Sequence, residues 1–227
     1  MSSKNKVEKK IPISLKVIVT ISILWIVHTM TGITVIGVEN LRFTKHKMEL
    51  GFVLWEGWKT LLIIHAFSAV IAIGSGILAF VSQYRRKWTF HRRIGSIYVI
   101  SVIISSTASL PIAITATGDR PATTGFLLLA FLWLLTTFFA YRSAKTRKIM
   151  KHKKWITRSY AFTMANQTLH VILMPLTALT GDRLTAYKTS VWLCMVINYC
   201  VAEVFIRRAS AKSNTKRQIA SIGSSLY

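Results

Sequence analysis

Acidic residues are scarce in this 227-residue chain, where seven Asp and Glu stand against 30 Lys and Arg. Cysteine and proline are short as well, at two and four residues. Cys194 and Cys200 are spaced so that they point in different directions on a helix, so they form no metal or redox pair and read as small packing residues. There is no Gly-rich phosphate loop, no zinc-binding pattern and no activated serine or cysteine arrangement, which argues against hydrolase or kinase chemistry of the soluble kind. No cysteine motif for covalent haem attachment is present either.

What the chain has instead is apolar length. Hydrophobic residues make up 52% of it and the mean hydropathy is +0.44. Its apolar runs approach the ~20 residues that a helix needs to cross the hydrocarbon layer. Six spans are expected: about Ser14–Ile36, Thr60–Ser82, Ile94–Thr117, Gly125–Tyr141, Ser159–Thr180 and Thr189–Ile206. The fourth is the shortest. The first follows a lysine-rich stretch but has no small-residue cleavage site, so it reads as a retained helix. The expected fold is an all-α polytopic membrane bundle: a basic tail over 1–13, a six-helix domain over 14–208 and a flexible tail over 209–227.

A net charge of +23 would suggest nucleic acid if the cations formed one patch. They are spread over the amino-terminal tail, the second-to-third and fourth-to-fifth connections and the carboxy-terminal tail. Glu39, Glu49, Glu56, Asp119 and Asp182, five of the seven acids, fall on the other side. This bias places both termini in the cytoplasm, in the inner (plasma) membrane, and the basic loops against anionic lipid headgroups. Membrane lipids are the expected partner and nucleic acid is not. The one long outer connection, Glu39–Trp58, carries Trp55 and Trp58, whose rings suit the interface.

One pattern occurs twice. Tyr84-Arg85, His91-Arg92-Arg93, Tyr98, Pro111 and Thr117-Gly118-Asp119-Arg120 are matched by Tyr141-Arg142, His152-Lys153-Lys154, Tyr160, Pro175 and Thr180-Gly181-Asp182-Arg183. This suggests a parallel repeat of spans two–three and four–five. The in-span prolines are expected to kink or break their helices.

Polar groups inside a bilayer need partners. Span two carries His65, Ala69, Ala72, Gly76 and Gln83 on one helical face, bordered by Ser68 and Ser75. Span five carries Ser159, Thr163, Asn166 and His170 at matching offsets. These are either packing seams or the lining of a site. By depth, His28, His65 and His170 fall in the outer half, His91 and His152 at the cytoplasmic edge, and His46 in the outer loop. Paired histidines at one depth are what b-type haem needs, because the iron takes two axial nitrogens. His65 with His170 is the outer candidate and His91 with His152 the inner one. The competing readings are interhelical hydrogen bonding for the outer set and phosphate contact for the inner pair. Span six adds Asn198 and Glu203; the glutamate precedes Arg207 by one turn, which suggests a local ion pair, or else a proton-carrying carboxylate.

The stretch His91-Arg92-Arg93-Ile94-Gly95-Ser96-Ile97-Tyr98, with His65, Trp133 and Thr136-Thr137, resembles a bacterial membrane family known as domain of unknown function 2306. The resemblance continues through His152, Trp155, Arg158-Ser159-Tyr160-Ala161, Thr163 and Thr168-Leu169 to Trp192, Asn198 and Ala202-Glu203. It covers roughly Thr60 to Arg208 and implies a multi-helix inner-membrane protein, without implying a reaction. The family pattern carries arginine where this chain has His170, so the resemblance implies His65, His91 and His152 as the shared histidines. Three functions follow as expectations: a redox-type bundle holding b-type haem or a quinone, a small transporter, and a non-catalytic subunit that stabilises a membrane-protein partner.

Overall fold

The computed structural model describes residues 12–49, 51, 55–84 and 87–224. Most of the expected amino-terminal tail, Arg85 of the first basic turn and the last three residues of the expected carboxy-terminal tail lie outside them. The described chain is all helical: α1 (Ile13–Thr31), a π turn (Gly32–Ile36), a 3-10 turn (Val38–Asn40), α2 (Arg42–Glu49), α3 (Trp58–Tyr84), α4 (Trp88–Ile114), α5 (Asp119–Lys145), α6 (Ile149–Thr163), α7 (Ala165–Thr180) and α8 (Arg183–Ser224). It divides into two compact units, Met1–Leu134 and Leu135–Tyr227, with the boundary inside α5.

Five segments are long and apolar enough to cross a membrane: Ile13–Ile36, Trp58–Gln83, Trp88–Ile114, Asp119–Lys145 and Arg183–Lys212. Large apolar side chains stay exposed along them, among them Val17, Ile21 and Leu24 on α1 and Ile100, Ile103 and Ile104 on α4. Each would cost about 1.5–3 kcal/mol to leave in water. A dozen such residues would exceed the roughly 5–15 kcal/mol by which a domain is stable. The surface therefore fits lipid as its solvent.

Two expected spans differ from the observed helices. The fourth is not the shortest, because α5 runs 27 residues from Asp119 to Lys145. The fifth is two helices, of 15 and 16 residues, interrupted at Met164 with φ −87° and ψ 2°. The prolines do not break their helices. Pro111 lies near the end of the continuous α4, and Pro175 lies within α7. Pro111 stands in the last turn of α4, where a missing N–H costs little, whereas Pro175 removes one N–H from the interior ladder of α7, which stays helical through it. α8 runs on without a break to Ser224, across most of the segment expected as a tail; its Ala, Lys, Arg and Gln residues there favour helix.

In the first unit α3 and α4 form the main packed pair. Ser68, Ala72, Ser75 and Ser82 on α3 and Ser101, Ser105 and Ala108 on α4 are buried. Small side chains let two backbones approach closely where lipid supplies no hydrophobic drive between helices. In the second unit α6 and α7 both pack along α8. The α7–α8 turn closes on Gly181 at φ 68°, whose N–H bonds Thr177 O. Asp182 then caps α8, accepting from Leu184 N–H (3.0 Å) and Thr185 N–H (2.9 Å). These bonds hold its carboxyl below the usual range.

Among the described residues, the two basic turns share a backbone bond. Lys87 N–H bonds Ser82 O at 3.1 Å and Lys148 N–H bonds Ser143 O at 2.9 Å, and each lysine then starts a helix. In the second turn Arg147 takes the left-handed conformation, φ 54°, where such wide helix-ending bonds place their turning residue. The tetrapeptide copies differ: Asp119 itself has φ 55° and begins α5, whereas Asp182 stands before α8 as a cap.

Candidate functional site

Four histidines were expected to matter, and each anchors its Nδ1 on a backbone carbonyl. His65 Nδ1–H donates to Ser105 O across the α3–α4 seam at 2.9 Å. Ser105 Oγ–H returns a bond to His65 O at 3.0 Å and lies 3.0 Å from Nδ1, so the two helices are clamped reciprocally. His91 Nδ1–H donates to Ala79 O at 2.9 Å, and Ser82 Oγ–H donates to the same carbonyl at 2.8 Å. His152 Nδ1–H donates to Ala140 O at 2.9 Å. Both basic-turn histidines thus reach back 12 residues to an alanine carbonyl. His170 Nδ1–H donates to Asn166 O, one turn back on its own helix, at 2.9 Å.

A carbonyl oxygen only accepts, so each of these bonds places the proton on Nδ1 and the lone pair on Nε2. That is the tautomer of an imidazole that binds metal through Nε2, which commonly donates its other N–H to a backbone carbonyl. His65, His91 and His152 are partly buried, while His170 is exposed. His65 and His91 belong to the first unit, His152 and His170 to the second. Among the described residues no three His, Cys, Asp or Glu side chains gather around a common metal position.

The polar face expected on span five is divided by the break at Met164. Ser159 and Thr163 are buried on α6, whereas Asn166 and His170 are exposed on α7. The break turns α7 relative to the helical phase that would have aligned all four. Ser159 Oγ instead meets Thr137 Oγ1 at 2.7 Å. Thr168 Oγ1–H donates to Asn198 Oδ1 at 3.1 Å, joining α7 to α8. Gln167, absent from the sequence reading, is 3% exposed, and neither of its amide atoms has a partner; Asn198 Nδ2 has none either. The same phase assumption hid Gln167, because a continuous helix would have put it beside the stripe and not among buried residues.

Glu203 does not take its bond from Arg207. Arg158 Nε–H, on α6, donates to Glu203 Oε1 at 2.6 Å. The guanidinium also lies 4.7 Å above the Trp155 ring, which packs against Phe139 at 4.8 Å. Arginine's planar head suits this double use, stacking on a ring and bonding a carboxylate. Trp58 departs from its expected place too: it is buried at 2% exposure against Phe43, while Trp55 remains exposed. Cys194 is buried and Cys200 exposed, as their helical phase required.

No curated protein and no solved structure matches the chain. A family model does: residues 62–206 match the one described as "Predicted membrane protein (DUF2306)". That segment covers the α3–α4 seam, both basic turns and the Arg158–Glu203 pair, and the chain belongs to this family of membrane proteins.

Proposed function

We propose that this membrane protein is a redox-type helical bundle that holds b-type haem through the Nε2 atoms of its anchored histidines. The observation that carries the reading is the shared Nδ1–H to carbonyl bond of His65, His91 and His152, which fixes ring orientation and leaves the basic nitrogen on the other side. Haem, when bound, supplies one-electron transfer; the carbonyl bonds orient the rings and hold the proton on Nδ1, so that Nε2 would be the ligating atom. His170 carries the same anchor on an exposed face and ranks fourth. A quinone site is the form of this reading that dispenses with iron. The test is an absorption spectrum of detergent-purified protein, oxidised and then reduced.

The topology that accompanies the reading has six crossings with both termini in the cytoplasm of the cell, in the inner membrane. Its support is the level of the contacts along α8. Arg158 meets Glu203, Thr168 meets Asn198, and the chain turns at Gly181–Asp182. From Arg183 to Glu203 a helix rises about 30 Å, the thickness of the hydrocarbon core. The broken α6–α7 segment covers the same height beside it. A proton-coupled transporter is less well served, since the carboxylate it would use is held by Arg158. Bilayer lipids are the partner of the favoured reading; an assembly role would require a second membrane protein.

A further inference from the structure

Outside the histidine sites, the closed end of the α5–α6 hairpin concentrates charge of one sign. Seven cations lie between Arg142 and Lys154, and all seven are exposed. The chain has no acid between Asp119 and Asp182. Glu203, packed beside α6, is engaged by Arg158, which lies outside this group. Among the described residues none of the seven forms an ion pair. Like charges this crowded repel one another, so the hairpin end calls for an anion from outside the chain.

The backbone holds that end in one arrangement. Lys148 N–H bonds Ser143 O at 2.9 Å, Arg147 N–H bonds Ala144 O at 3.1 Å, and His152 Nδ1–H reaches back to Ala140 O. Further along, the Phe139–Trp155 and Thr137–Ser159 contacts keep the two helices side by side. Arg142 and Lys145 lie three residues apart on one face of α5. Lys148 stands at the cap of α6 and Lys151 in its first turn. The ammonium of Lys145 lies 5.4 Å from the centre of the Tyr141 ring, a contact that orients it and leaves its charge uncompensated. The cations thus form two pairs, one on each arm of the turn.

Apolar side chains are interleaved with them. Ile149 and Met150 are exposed between Lys148 and Lys151, and Phe138 and Tyr141 are exposed before Arg142. A nucleic acid or an acidic protein surface offers these side chains no cover, whereas acyl chains do. The apolar segment Asp119–Lys145, long enough to cross a membrane, ends at this group, which sets the cations at headgroup level.

We propose that this end of the hairpin binds a phospholipid carrying two phosphates, one held by Arg142 and Lys145 and the other by Lys148 and Lys151. Its acyl chains lie against Phe138, Tyr141, Ile149 and Met150. The site deepens the reading of bilayer lipids as partner and rests on it, and it owes nothing to haem. Hydrogen bonds between cationic donors and phosphate oxygens are of the stronger, charge-assisted class.

Native mass spectrometry of the full-length, maltoside-purified protein tests it, with diphosphatidylglycerol, phosphatidylglycerol and phosphatidylcholine titrated separately. Saturable binding of one diphosphatidylglycerol is expected, about tenfold or more tighter than phosphatidylglycerol, with phosphatidylcholine weaker still. Arg142→Gln with Lys145→Gln, and Lys148→Gln with Lys151→Gln, are each expected to erase that preference. Arg120→Gln with Arg183→Gln removes the same charge at the starts of α5 and α8 and is expected to keep it. Circular dichroism checks folding, and if one pair variant fails to fold the other decides. Equal affinity for the one-phosphate and two-phosphate lipids overturns the site while leaving lipids as the partner. So does a preference that survives in either folded pair variant, or one that falls as far in the Arg120 and Arg183 control. Displacement of the lipid by polyphosphate, which has no acyl chains, would assign the cations to a soluble anion and overturn it too. Folded protein that retains none of the three lipids would sink the lipid reading along with the site.

Discussion

Arg158 and Glu203 show how a single bond can decide what a membrane carboxylate does. The pair is about four-fifths buried, at 18% and 22% side-chain exposure. Removing one partner of a fully buried pair costs about 3–5 kcal/mol, because the other charge is left without compensation. Partial exposure lowers that, so Glu203→Gln and Arg158→Met are each expected to cost about 2–3 kcal/mol. In mixed-micelle unfolding the double variant should lose clearly less than the sum of the two, which is the signature of direct coupling; additive losses would show that the bond contributes nothing. Asp182 gives a second residue-scale expectation. Its carboxyl is depressed in the folded protein by the capping bonds, so its contribution is fully present above the unfolded value of about 3.9 and fades as pH falls through the lower folded value. The Tm difference between wild type and Asp182→Ala should therefore be constant at neutral pH and shrink on strong acidification. Glu203 was legible in the sequence as an ion-pair member, but its partner was not. Arg207 lies one turn away and periodicity finds it, whereas Arg158 lies 45 residues earlier, and only the packing of α6 on α8 brings it near.

Among the elements, the α3–α4 pair carries the clearest consequence. Ala72 is fully buried in the seam of small residues, where a larger side chain must push two backbones apart. Ala72→Leu is expected to cost about 1–3 kcal/mol of unfolding free energy and to disturb the His65–Ser105 clamp with it. Ile71, next to it on the same helix but turned outward and exposed, should accept Leu with little change in the same measurement. The helices themselves were readable because apolar length is a composition property, and the face holding Ala72 and Gly76 was readable from its offsets. The break at Met164 was not. No glycine or proline marks it, and the proline that is present, Pro175, lies well inside an unbroken helix. The doubled pattern was partly readable: the His-cation-cation entry corresponds in structure through Ala79 and Ala140, Ser82 and Ser143, and Lys87 and Lys148. Tyr84 and Tyr141 do not belong to this correspondence, because they stand at different distances from their histidines. The shared Thr-Gly-Asp-Arg likewise hides two backbone conformations.

For the whole molecule, the number of crossings and the chemistry are the open choices, and each has a direct experiment. Five crossings would put the termini on opposite sides; six put them on the same side. Reporter fusions at each end, one active only in the cytoplasm and one only outside it, are expected to place both ends in the cytoplasm. Opposite locations would leave the α6–α7 segment as something other than a crossing. The charge bias yields an expected orientation, which the reporter fusions test, while the reaction was not legible, because histidine spacing is shared by ligands, hydrogen-bond anchors and interface residues alike. Each of the four histidines anchors Nδ1 on a backbone carbonyl, and the proposal of haem ligation starts from that shared bond. The absorption spectrum of the purified protein tests this most directly. The account predicts a Soret band that sharpens and shifts on reduction, with new visible bands, and that is lost or weakened in His65→Ala, His91→Ala or His152→Ala variants that remain folded. A folded, colourless protein that takes up no haem when haem is supplied would contradict it.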